Sequence, residues 1–418
     1  MATKDWTVMV WMAGDNNLED AGTGDLEEMK KVGSDPHLDI LVQFDRQSSD
    51  KTQRYHIQQG GSLAGDTVQD LGETDTGDPA QAIDFFCWGV KNYPANHYAV
   101  IFWNHGSGID EEDIYRKLNQ AGVSTGRKIR RGGNALPRRE IQRVSNKRWR
   151  KSLFSTTIET ALADAAKAGK LRRAIAYDDT NRDFLDNAEL KKVLVAIKKQ
   201  IGRKIDLVGM DACLMSGIEV AFQIKDTADM MLGSEEIEPG DGWPYDLFLG
   251  AISKKPTITA AGLGAALVKS YVQFYSSDAV TQSCLDLSKA DEAGNAADGL
   301  AAALIKAIKT PAEFMVFTKA LKSAQRFDMK DYVDLYDLCR LLSAKSGDTK
   351  IKTAAKAAMN SIAKFLVVAQ GSKGATVANS NGVTIYFPFA GDVTVAYDKL
   401  DFAKATRWGE LIKRYQAM

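Results

Sequence analysis

The sequence predicts an α/β fold: a mainly parallel sheet flanked by helices, with a smaller helical domain and a β-hairpin at the C-terminal end. Three observations carry this. Short apolar runs such as WTVMVWM, LDILVQF and YAVIFW are nearly continuous, which suits strands covered on both faces. Helical patterns alternate with those runs. After about Ala290 the strands give way to long Ala/Lys/Leu segments.

In chain order, strands are expected at Trp6–Met12, Leu38–Phe44, more weakly Arg54–Gln59, then Tyr98–Trp103, Ile205–Met210, Met230–Gly233 and Ala279–Leu287. Asp186–Gln200 reads as a helix, with Asp186 at the N-cap and Glu189 three residues on, the pattern of a capping box. Helices fill Asp291 to about Leu366. A strand pair follows around Thr376–Phe389, with Asn379–Gly382 as its turn. These patterns divide the chain into residues 1–290, the larger domain, and 291–418, the helical domain with the terminal strand pair.

The chain has 418 residues, enough for a sizeable core. Hydrophobic residues make up 44% and charged residues 26%, which excludes wholesale disorder. Four cysteines are too few for a disulfide scaffold. Near the start the apolar stretch is only Val8–Ala13, too short for a membrane span or a signal core, so the protein is expected to be cytosolic unless a leader precedes this chain. The 54 basic and 54 acidic residues cancel, and that balance by itself implies no nucleic-acid or membrane partner.

The cancellation hides a segregation of charge. Arg116–Lys151 holds 13 Lys/Arg and one acid, Glu140, leaving 41 basic and 53 acidic residues elsewhere. Three readings fit such a segment: a solvated loop, a nucleic-acid arm, or a processing site for a protease that cuts after basic residues.

In open α/β sheets, ligands bind beyond the carboxyl ends of the strands. Tyr98–Trp103 runs into Asn104-His105-Gly106, Ile205–Met210 into Asp211-Ala212-Cys213, and Trp6–Met12 into Ala13-Gly14-Asp15-Asn16-Asn17. One histidine and one cysteine therefore share the productive edge. A cysteine nucleophile needs a base or imidazolium partner, and the developing oxyanion needs N–H donors. Gly106 offers one amide, and Cys213, expected at the start of a helix, offers another. Against this stand plain structural roles: a buried apolar cysteine and a hydrogen-bonding histidine. Cys87, Cys284 and Cys339 sit inside apolar patterns and keep that plain role. So do His37, His56 and His97, which lie away from this edge.

At these residues the sequence resembles the clostripain family of cysteine peptidases, in the clan that also holds caspases, gingipains and legumains. The matching pieces are MVWMAGDNNLE, IFWNHGSG, YDDTNRDFLDNAEL, LVGMDACLMSGIEVA, MLGSEEIEPGDGWPYD and GVTIYFP, in order along nearly the whole chain. The resemblance implies a caspase-like sheet with a Cys–His dyad. His105 is then the general acid/base, Cys213 the nucleophile, and the Gly106 and Cys213 amides the oxyanion hole. It also implies cleavage after Arg, sometimes Lys, with Asp211 and Asp241 in the S1 pocket. A buried guanidinium needs a carboxylate partner, so the chemistry agrees. The plain alternatives are a helix cap for Asp211 and an Asp-Gly turn for Asp241. The basic segment lies between His105 and Cys213, where this family carries an activation loop. Self-cleavage there would leave two chains packed together.

The expected partners are proteins or peptides with a basic P1 residue. No cofactor is required. Calcium is possible but unplaced, because Asp178–Asp183 fails as an EF-hand: counting from Asp179, Phe184 and Leu190 replace the Gly and Glu. No His/Cys cluster has zinc spacing. The resemblance points to a secreted or cell-envelope enzyme. A non-catalytic α/β protein that binds nucleic acid through the basic segment is the alternative, weakened because the segment lacks interleaved stacking aromatics apart from Trp149.

Overall fold

The computed structural model describes residues 3–16, 18–49, 51–104, 106, 175–178, 183–389 and 397–418. The basic segment Arg116–Lys151, His105 and Asn17 lie outside the described residues.

The strands are β1 (Lys4–Gly14), β2 (Leu38–Arg46), β3 (Lys51–His56), β4 (Thr67–Gly72), β5 (Ala95–Trp103), β6 (Ile175–Asp178), β7 (Asp183–Leu185), β8 (Ile205–Asp211), β9 (Ala228–Gly233), β10 (Val280–Asp286), β11 (Tyr332–Asp334), β12 (Val367–Lys373) and β13 (Thr384–Tyr386). Nine of them form one sheet in the order β12-β10-β9-β8-β5-β1-β2-β3-β4. Its centre, β9-β8-β5-β1-β2, is parallel. The outer strands β3, β4, β10 and β12 pair antiparallel. This is the mixed, mostly parallel sheet that the apolar runs predict.

Helices cover both faces. They are α1 (Glu19–Val32), α2 (Pro79–Asn92), α3 (Asn187–Ile201), α4 (Ile218–Ile224), α5 (Tyr245–Lys254), α6 (Ala260–Phe274), α7 (Ala290–Ala307), α8 (Pro311–Ser323), α9 (Leu335–Lys345), α10 (Thr349–Ser361), α11 (Asp401–Ala405) and α12 (Trp408–Gln416). β1 shows the logic of two-sided burial. Trp6, Val8, Val10 and Met12 enter one core with α1, α5 and α6. Met9, Trp11 and Ala13 enter the other with α2, α3, α4 and the C-terminal helices. Successive strand side chains point to opposite faces, so a strand buried on both must be apolar throughout.

The helix predicted from Asp186 forms as α3, with both reciprocal bonds of the capping box present. Five strands were not anticipated: β4, the short β6–β7 pair, β11 inside the stretch expected to be helical, and β12. β4 is an edge strand and largely exposed, so its polar sequence carries no apolar signal. β12, which follows the C-terminal helices, returns to the main sheet and pairs with β10. The terminal strand pair also differs from a hairpin across Asn379–Gly382. Ala375–Val377 forms a 3-10 turn, and β13 pairs antiparallel with β11. Asp334 fixes that choice, because its carboxylate accepts the Asn381 backbone N–H and the Asn381 side-chain amide. No helix among the described residues is long and apolar enough to cross a membrane.

Candidate active site

β1, β5 and β8 lie side by side and end together, with Met12 opposite Trp103 and Trp103 opposite Asp211. Their exits are tied to one another. The Asn104 side chain donates to Ala13 O, and the Asn104 N–H donates to Asp211 O at 3.3 Å. Asn16 Oδ1 accepts the Leu18 N–H at 2.9 Å, an Asx-type turn leading into α1.

Beyond β8 the chain makes a turn and not the expected helix start. α4 begins only at Ile218, with Gly217 at its N-cap. The reason lies in the backbone partners of the turn. Leu214 N–H donates to Glu236 O at 3.3 Å and Ser216 N–H to Ser234 O at 2.9 Å, so these amides are committed to the segment after β9. Leu214 adopts φ +63°, the one positive φ outside glycine among the described residues. A left-handed leucine costs about 1–2 kcal/mol and persists only where its surroundings enforce it. The strain sits one residue past Cys213. Since no helix starts there, the helix-cap role for Asp211 falls away.

Cys213 is fully buried. Its sulfur accepts the Glu238 N–H at 3.1 Å and lies 3.9 Å from Glu238 O. His105 is outside the described residues, but its neighbour Gly106 is seated against this turn. A Cβ built on Gly106 would lie 2.4 Å from Cys213 O and 3.0 Å from Cys213 N. Only glycine permits that approach. The segment carrying His105 and the segment carrying Cys213 therefore meet at one sheet margin.

Asp211 is fully buried and accepts the Tyr245 hydroxyl at 3.1 Å. Asp241 is exposed, in a turn closed by Gly242 N–H to Pro239 O at 3.0 Å, so the Asp-Gly turn is present as well. Acids beyond these two crowd the region. Trp103 Nε1 donates to buried Asp25 at 2.5 Å, and Gln282 Nε2 donates to buried Glu238 at 3.1 Å. Burial pushes the Tyr275 hydroxyl up strongly, and Glu238, Asp211, Asp241 and Asp25 add to it in that order. Four carboxylates thus act on one point near the strand ends. Asp25, Glu238 and Gln282 are separated widely in sequence, which is why pattern reading missed them. The acids of SEEIEP and the polar Thr281-Gln282-Ser283 run inside β10 are the signals that could have drawn attention.

The other cysteines and histidines keep their plain roles. Burial raises the thiol pKa of Cys284 to about 12, and it raises those of Cys339 and Cys87 as well. His37, His56 and His97 each pair with an aspartate, Asp5, Asp39 and Asp206, at 2.6, 2.7 and 2.8 Å. For a cation, the described residues offer one group of three convergent acids, Asp15, Asp45 and Glu73, with ligand atoms within 4.8 Å of one another. Thr52 already donates to Asp45 at 2.8 Å, and acids alone do not define a calcium site.

A sequence profile of the clostripain family matches residues 10–125 and 160–415, and the chain belongs to that family. A cysteine on a strained turn at the carboxyl edge of a mostly parallel sheet agrees with the class that the family match gives, a cysteine peptidase. Clostripain of Hathewaya histolytica is 25% identical over 456 aligned positions, covering 91% of this chain and 74% of that protein. A secreted C11 cysteine protease from Bacteroides thetaiotaomicron, solved with an irreversible peptide inhibitor, superposes with TM-score 0.62 at 17% identity, covering 97% of this chain and 99% of that one. An inactive zymogen C11 protease from Parabacteroides distasonis gives TM-score 0.63 at 18% identity, with the same coverage. These structures share the fold.

Proposed function

We propose that this peptidase cuts after Arg or Lys with Cys213 as nucleophile and His105 as general acid/base, and that it is activated by cutting its own basic segment. The observation that carries the reading is the seat of Gly106 on the Cys213 backbone, because it brings the residue after His105 into contact with the turn that bears the sulfur. The attack then runs as acyl transfer. His105 takes the thiol proton, the thiolate adds to the scissile carbonyl, and the Gly106 and Cys213 amides receive the oxyanion. His105 returns the proton to the leaving amine, and water hydrolyses the thioester.

Buried Asp211, with Asp241 at the rim, supplies the negative charge that a cationic P1 side chain needs. An acidic P1 side chain would be repelled. The full burial of Cys213 fits a latent precursor. In that precursor an Arg or Lys of the uncut segment occupies the S1 pocket, and cutting frees the site while the two chains stay associated. The binding-protein alternative gains no support from the family or the fold.

Turnover of a benzoyl-Arg amide tests the reading. It should vanish in Cys213→Ala and in His105→Ala, and full rate in either variant would remove that residue from the dyad. Mass spectrometry of purified protein tests the activation step. Wild type should be cut within Arg116–Lys151 and Cys213→Ala should stay intact, whereas equal cutting in both would point to another protease.

A further inference from the structure

The sulfur of Cys213 is held by a segment that the catalytic scheme above does not use. Ser234–Glu238, following β9, runs alongside the Cys213 turn like an extra strand. Ser216 N–H bonds Ser234 O, Leu214 N–H bonds Glu236 O, and Glu238 N–H bonds the sulfur itself. Gly233 opens the segment at close quarters, since a Cβ there would lie 3.2 Å from Met215 C and Ser216 N.

Three consecutive β10 side chains fasten this strap and the cysteine turn beside it. Thr281 Oγ1 accepts the Glu235 and Glu236 N–H groups at 2.9 and 3.0 Å. Ser283 Oγ bonds Ser216 Oγ at 2.7 Å, on the cysteine turn. Gln282, between them, reaches the far end of the strap, where its Nε2 donates to Glu238 Oε1 at 3.1 Å. Its own Oε1 accepts the Ser283 N–H at 3.1 Å, which fixes the amide's orientation. Gln282 and Glu238 are both buried.

The charges around the sulfur explain why such a fastening matters. Glu238 of the strap, Asp211 of β8 and Cys213 all act on one buried group, the Tyr271 hydroxyl of α6, so the sulfur lies in an acidic neighbourhood. Burial raises the Tyr271 hydroxyl well above its usual range, with Glu238, Tyr275, Asp211 and Cys213 adding to it. Nearby carboxylates disfavour an anion as a general rule, and an N–H aimed at a sulfur favours one.

We propose that Gln282 and Glu238 form a positioning pair that aims the Glu238 backbone N–H at the Cys213 sulfur and so favours the reacting thiolate. The inference rests on Cys213 being the nucleophile. Gln282 acts through Glu238, to which its side chain is bonded.

The test is the pH profile of kcat/KM for an Arg amide substrate, measured on the full chain after processing. Its acid limb reports ionisation of the free enzyme's essential groups. In Gln282→Leu the limb should move up by about one pH unit, with about a tenfold loss of kcat/KM below it and an unchanged Arg-to-Lys preference. The exchange variant, Glu238→Gln with Gln282→Glu, rebuilds the side-chain bond with donor and acceptor reversed and should return the limb towards wild type. A folded Gln282→Leu with an unmoved limb overturns the inference, even if its rate falls, because that marks a merely structural role. If Gln282→Leu does not fold, the exchange variant decides: a wild-type limb supports the pair, and a displaced one overturns it. Undiminished turnover in Cys213→Ala would instead remove the nucleophile assignment itself, a result separate from anything Gln282 shows.

Discussion

Gly106→Ala is the sharpest perturbation the geometry offers. The new methyl carbon would start 2.4 Å from Cys213 O, while an ordinary contact begins near 3.4 Å. Relief therefore requires a displacement of about 1 Å, and the obstacle is main chain that cannot rotate away. Two consequences follow. Overpacking of this kind costs about 1–3 kcal/mol of stability. Misplacing reacting groups by about 1 Å costs on the order of 10²-fold in rate. The two are similar in free energy, since about 10²-fold in rate is about 2.7 kcal/mol, but a domain stable by about 5–15 kcal/mol stays folded after losing about 1–3, so turnover should drop while the protein remains folded. Denaturant melts and turnover of an Arg amide by the same preparation measure both. Wild-type turnover in a folded Gly106→Ala protein would refute the reasoning, because the His105 segment could not then be seated on the Cys213 turn as described.

Other outcomes follow from the same coordinates. Gly24 lies inside α1 with nothing near its would-be Cβ, so Gly24→Ala should stabilise by about 0.5–1 kcal/mol in a denaturant melt and leave turnover unchanged. Glu219 in α4 is fully buried, and burial raises its carboxyl pKa to about 7 although the Tyr386 N–H donates to it. Because the folded form holds this proton more tightly than the unfolded form, its contribution is complete below about pH 4.5 and is lost as pH rises towards 7. The whole loss is on the order of 3 kcal/mol. Glu219→Gln should flatten that part of the stability–pH curve and be the more stable protein at pH 8; an unchanged slope would contradict it. Asp211→Asn should lower kcat/KM for Arg substrates more than for uncharged ones, and an equal loss on both would take Asp211 out of the S1 pocket.

Much of this architecture was legible because two-sided burial leaves a plain trace. β1, β2, β5 and β8 are buried on both faces and mostly apolar, and each was visible as a nearly continuous run. The α3 capping box was equally readable, being a local bond pattern. Elements held by distant partners were not. β12 is half-exposed and owes its place to β10, and β13 pairs with β11 some fifty residues earlier because of Asp334. At the site, residue types at strand ends pointed to His105, Gly106, Cys213 and Asp211. The turn at Cys213 was misjudged as a helix start because nothing local announces that its amides bond the Ser234–Glu238 strap. Glu238, Gln282, Tyr271 and Asp25 converge from four separate elements, and only the folded chain brings them together.

Active-site labelling addresses the central claim most directly. Processed protein would be incubated with a peptidyl-Arg acyloxymethyl ketone and digested, and the adduct located by mass spectrometry. The account predicts a single adduct on the Cys213 sulfur, blocked by a competing Arg peptide and absent in His105→Ala. Inactivation with the label on Cys87, Cys284 or Cys339, and Cys213 untouched, would contradict it.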